Sequence, residues 1–164
     1  MPEAVYLGID PGVSGGLAWL SMDSQGGCTY KAVRMPRTFN GILDWFRQVS
    51  GSFIPRVAMI EKVGGYISGS GGNIGSAMFE FGKSYGSLLM ALTVIEIPFD
   101  EVHPLTWQGA YSLSPRKGLG KGERKSELKG IAQQLFPREK VTLATADAFL
   151  IAEYCRRKNE GRLE

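Results

Sequence analysis

VYLGIDPGVSGGLAWLSM, residues 5–22, decides the reading of this chain. Val5 to Asp10 is an apolar run closed by Pro11 and Gly12, which predicts a buried strand ending in an acid. Gly15 to Met22 and Cys28 to Arg34 flank the turn-rich DSQGG, so the three runs together predict an antiparallel meander. Working outward, Phe39 to Val49 sets Ile42, Trp45, Phe46 and Val49 at helical spacing, and Arg56 to Glu61 (RVAMIE) is a second apolar strand that ends in an acid. GGYISGSGG, from Gly64 to Gly72, predicts a mobile loop. Asn73 to Leu92 then forms a long helix with Ile74, Ala77, Met78, Phe81, Tyr85, Leu88 and Leu92 as its apolar stripe. Val94 to Pro98 and Glu101 to Pro104 read as short strands, and Ser112 to Gly122 as a basic, glycine-punctuated loop. Arg124 to Phe136 and Thr142 to Arg157 read as closing helices on either side of Pro137. The fold class is therefore α/β, a mixed sheet covered by helices.

At 164 residues the chain is long enough for one substantial core, and a single domain is expected. Its 43% hydrophobic and 21% charged residues lie far from the composition of a disordered chain. Cys28 and Cys155 show neither CxxC nor Cys/His spacing, which argues against a zinc site and a disulfide scaffold and places the chain in a reducing cytoplasm. The opening residues carry no basic segment before an apolar stretch, and no apolar run nears the roughly eighteen residues of a membrane span. A net charge of +3 decides nothing, but eight Lys or Arg against three Glu between Arg116 and Lys140 form a basic segment suited to a polyanion. Gly75, Gly82 and Gly86 share one face of the long helix. Glycine inside a helix costs about 1 kcal/mol relative to Ala, so that face is expected to meet another backbone closely, within the chain or from a second subunit.

Asp10 and Glu61 each end an apolar strand. If those strands are parallel neighbours their acids converge where open α/β sheets bind ligands. Two adjacent carboxylates repel unless a cation lies between them, and Mg²⁺ prefers all-oxygen ligands. Asp147 is spaced with Leu143, Leu150, Ile151 and Tyr154 on one helix face, an acid placed in an apolar stripe. Each acid also has an ordinary reading: a turn at Asp10, a pair with Lys62 for Glu61, a buried arginine beside Asp147.

YLGIDPGVSGGLAWL, the strand MIEKV with its following loop and helix, GLGKGERKSELKGIAQQLFP and ATADAFLIAEY resemble, in order, the RuvC family of Holliday junction resolvases, especially its compact phage-type members. The resemblance implies an RNase H-like fold and a homodimer that nicks four-way DNA junctions with Mg²⁺ or Mn²⁺, in the cytoplasm of a bacterium or a phage-infected host. It identifies Asp10, Glu61 and Asp147 with the family's catalytic, metal-binding acids, two ions being expected with Asp10 between them. The family's further ligand, one helical turn before the last acid, corresponds to Ala144, which binds no metal; Glu101 and His103 are the substitutes considered. Lys117, Lys121, Arg124 and Lys125 fall where such resolvases carry phosphate-contacting residues, Lys125 at the start of its helix. Tyr66 is a candidate to stack on unpaired bases, and Trp107 reads as a packing anchor. Other branched or flap DNA as substrate, a non-catalytic junction-binding module and an ATPase-like domain built on the GIDPG turn are the rival readings.

Overall fold

The apolar run at the N-terminus becomes the centre of a sheet. β1 (Ala4–Asp10) pairs antiparallel with β2 (Gly16–Met22), which pairs antiparallel with β3 (Cys28–Arg34). On its other side β1 runs parallel to β4 (Ile54–Glu61), and β4 parallel to β5 (Phe99–Val102), giving the order β3-β2-β1-β4-β5. The structure, a computed structural model, describes residues 4–63, 74–111 and 120–163.

Strand alternation sends successive side chains to opposite faces, and each face has its own core. Val5, Leu7 and Ile9 pack with α1 (Phe39–Ser52) and α2 (Ile74–Val94). Tyr6, Ala18, Leu20 and Met59 pack with α3 (Pro104–Gly109), α4 (Lys121–Leu135) and α5 (Ala146–Asn159). The closest approach is α5 on β1. A Cβ added to Gly8 would overlap the Ala148 carbonyl oxygen and the Ala152 nitrogen, so the strand needs glycine there to seat the helix backbone. At the far end of α5, Glu153 and Arg156 form a buried pair at 2.8 Å, both side chains about a tenth exposed, with Glu160 2.5 Å from the same guanidinium.

Several boundaries differ from the sequence expectation. α2 continues to Val94 and the chain turns through Glu96, at φ 59°, so residues 94–98 form no strand. α3 was not foreseen at all, being only six residues long behind Pro104. α4 begins at Lys121, not Arg124, so Lys125 lies more than one turn inside the helix and does not address a phosphate through the helix N-terminus. α5 begins at Ala146, not Thr142. Leu143 is consequently 52% exposed and belongs to no stripe, and Asp147 stands in the first turn of a helix buried on nearly every side. A Cβ on Gly75, Gly82 or Gly86 would meet nothing within 4 Å, so no backbone among the described residues covers that face. No described helix is long and apolar enough to cross a membrane.

Candidate active site

Asp10 and Glu61 are the last residues of adjacent parallel strands, one step beyond the Ile9–Ile60 pair. Both carboxylates thus sit at the carboxyl edge of the sheet. Asp147, in the first turn of α5, is delivered to the same edge because α5 is seated on β1. All three side chains are only partly exposed. Burial, then the charges of Asp147 and Glu61, push the Asp10 carboxyl well above the usual carboxylate range, with the Lys125 ammonium pulling it back. Burial raises Asp147, again opposed by Lys125. Glu61 is also raised: burial comes first, opposed by a hydrogen bond from Trp107, then Asp147 raises it and Lys125 lowers it.

The three acids therefore feel one another, and Lys125 on α4 is the cation common to all three. Among the described residues no arginine figures in the charges acting on them, and the cation beside Asp147 is Lys125 rather than a buried arginine. The ordinary reading of Glu61 also fails, since the Lys62 ammonium lies 3.9 Å from Glu101 instead. Among the described residues no three His, Cys, Asp or Glu side chains stand at the spacing of a metal cluster. By donor chemistry the trio still fits a hard divalent cation: oxygen ligands, partly desolvated, carrying charge that one lysine does not balance.

One contributor was missed by sequence reasoning. Trp107 is fully buried and its indole N–H donates to Glu61 Oε2 at 2.7 Å. A buried indole N–H needs an acceptor, which is the signal the sequence did hold. The next residue, Gln108, accepts 2.5 Å from an Arg124 guanidinium nitrogen, so α3 ties both an acid of the site and the basic helix α4. Arg124 is to that extent a structural residue, half-buried and partnered. Glu101 is taken up by Tyr85, whose hydroxyl donates to it, and by Lys62. Burial and that acidic partner push the Tyr85 hydroxyl above its ordinary value. His103 is an exposed residue preceding α3. Ala144 lies in the turn before α5, its carbonyl against Gly16, so it is not a helical turn ahead of Asp147. Tyr66 and Lys117 lie outside the described residues, as does the side chain of Lys121.

No family model matches the sequence, and the search of curated proteins found no match. Solved structures are similar to this chain. Thermus thermophilus RuvC superposes with a TM-score of 0.65 at 17% identity, covering 98% of both chains. The same protein in complex with Holliday junction substrate gives 0.62 at 16% identity, again over 98% of each. The yeast mitochondrial Holliday junction resolvase gives 0.53 at 14% identity, covering 98% of this chain and 82% of that one. At these identities the likeness establishes the fold.

Proposed function

We propose, from a RuvC-like fold of the RNase H-like kind, that this chain is a structure-selective endonuclease that nicks phosphodiester bonds of four-way DNA junctions. The observation that carries this reading is a trio of partly buried, mutually repelling carboxylates at the carboxyl edge of the sheet, with one lysine beside them. Asp10, felt by both other acids, would hold Mg²⁺ or Mn²⁺ together with Glu61 and Asp147. When bound, such ions lower the pKa of water and offset charge gathering on the phosphoryl oxygens. Trp107 fixes the orientation of Glu61, and Lys125 offers its ammonium to the substrate phosphate.

A homodimer belongs to the same proposal. Gly75, Phe79, Gly82, Gly86 and Met90 recur on one face of α2, Phe79 68% and Met90 61% exposed, with open space over the glycines. A second α2 brought against that stripe supplies the close backbone that the glycines permit.

The decisive test incubates the protein with a synthetic four-way junction, a flap and linear duplex, with and without Mg²⁺ or Mn²⁺, measures binding by gel shift and maps the nicks. Paired nicks on the junction alone are expected. Binding without nicks selects a non-catalytic junction-binding module, the reading that Ala144 favours, and nicks confined to flaps select a different branched substrate.

A further inference from the structure

The acids lie between two helical layers, and α4 with Lys125 belongs to only one of them. On the other layer, at the same edge, a groove of about 720 Å³ runs between the β3–α1 connection and α2. Its walls converge on the turn that follows Asp10. The Met35 N–H donates to the Gly15 carbonyl at 2.9 Å, and a Cβ on Gly12 would lie 3.0 Å from the Phe81 ring. Gly12 and Val13 of that turn form one end of the groove.

Arg34, Arg37 and Lys83 are its cations and Glu80 its one acid. Lys83 spends its charge on Glu80 at 3.1 Å. Arg34 and Arg37 are exposed, and among the described residues neither has a carboxylate partner. Two unbalanced guanidinium groups therefore face a groove that opens beside Asp10. Ala77, Phe81 and Ser84 point α2 into it, roughly opposite the Gly75–Gly82–Gly86 stripe, so a dimer formed through that stripe leaves the groove free.

We propose that this groove is a second nucleic-acid contact in which Arg34 and Arg37 grip the phosphate backbone of a DNA arm leaving the cleavage site on the side away from Lys125. Guanidinium forks suit phosphate oxygens, and the contact adds affinity and orientation without sequence reading. It rests on the nuclease reading above, because the backbone it holds is that of the same substrate. The arm is positioned from both layers, with the acids between.

The test is fluorescence anisotropy of a labelled synthetic four-way junction in chelator, from 50 to 200 mM salt, with the full chain and with Arg34→Ala/Arg37→Ala. Loss of two phosphate contacts flattens the salt slope by about two units, so the wild-type advantage shrinks roughly tenfold across that range. Arg34→Lys/Arg37→Lys keeps the charges and should restore most of the slope, while an unchanged thermal midpoint shows that the variants fold. If the wild type binds the junction and the double alanine variant has the same affinity and slope, the groove proposal is overturned and the nuclease reading stands. If light scattering shows that the alanine variant changes oligomeric state with no change of slope, the groove is an interface between copies and the proposal is again overturned. If the wild type binds no branched DNA, both readings are lost.

Discussion

Replacing Trp107 by Phe isolates the indole N–H that steadies Glu61. The ring stays in the core, while the 2.7 Å hydrogen bond to Glu61 Oε2 is lost. A hydrogen bond to a charged acceptor contributes about 1.5 to 3 kcal/mol. Both groups are shielded from water, Trp107 completely, so a value near the middle of that range is expected. The substitution also leaves a small cavity, and a double-mutant cycle with Glu61→Ala separates the two effects because the cavity appears in both legs. Measured by urea unfolding in chelator, the coupling energy should be about 2 kcal/mol. Nicking of the junction should fall about 10- to 100-fold, as for groups that orient a ligand from behind, with junction affinity unchanged. Additivity of the two substitutions to within about 0.5 kcal/mol refutes the argument, since distant, independent sites behave that way.

Three further outcomes follow from the charges. Asp10→Asn removes a buried carboxylate that both neighbours also repel, so in chelator it should raise the thermal midpoint by a few degrees, while abolishing nicking; a lowered midpoint contradicts the burial cost and the repulsion. Because Asp10, Glu61 and Asp147 are all raised on folding, the native state binds more protons than the unfolded chain. Their contribution to stability is complete below the ordinary carboxylate range and lost as pH climbs through the raised values, so calorimetry in chelator should show the wild type gaining on Asp10→Asn as pH falls from neutrality. Glu153 behaves oppositely: two arginines hold its carboxyl below its usual range even against burial, and its contribution is lost as pH falls through that lowered value. Glu153→Gln removes two charge-assisted contacts from Arg156, leaving Glu160 as its carboxylate partner among the described residues, and should cost about 2 kcal/mol in urea unfolding at neutral pH; a loss under about 1 kcal/mol removes the pair as a stabilising element.

The sheet centre was legible because Val5 to Asp10 and Arg56 to Glu61 are apolar runs with acids at their ends, and strand order then puts Asp10 beside Glu61. The antiparallel partners followed from the turn at Pro11 and Gly12 and from DSQGG. What failed depends on contacts distant in sequence. Thr142, Leu143 and Ala144 have helix-compatible composition, but tertiary packing against Gly16 holds them in a turn, so Asp147 reaches the site as a first-turn residue and not as part of an apolar stripe. α3 is too short to show periodicity, and its pairing of Trp107 with Glu61 spans 46 positions. The basic segment pointed to α4, yet only contact with Gln108 distinguishes the tethered Arg124 from Lys125. The guanidinium pair in the groove was invisible because Arg34 and Arg37 form no run.

Seating α5 against Gly8 makes the separation of Asp10 and Asp147 a matter of main chain rather than of side-chain shape. Repacking neighbouring positions such as Leu150 or Met59 with other apolar residues can soften the interior without sliding one acid past the other. A single methyl group at Gly8 lifts the whole helix. Tolerance to substitution should therefore be uneven in a way hydrophobicity does not forecast, with the smallest residue of the central strand the least replaceable.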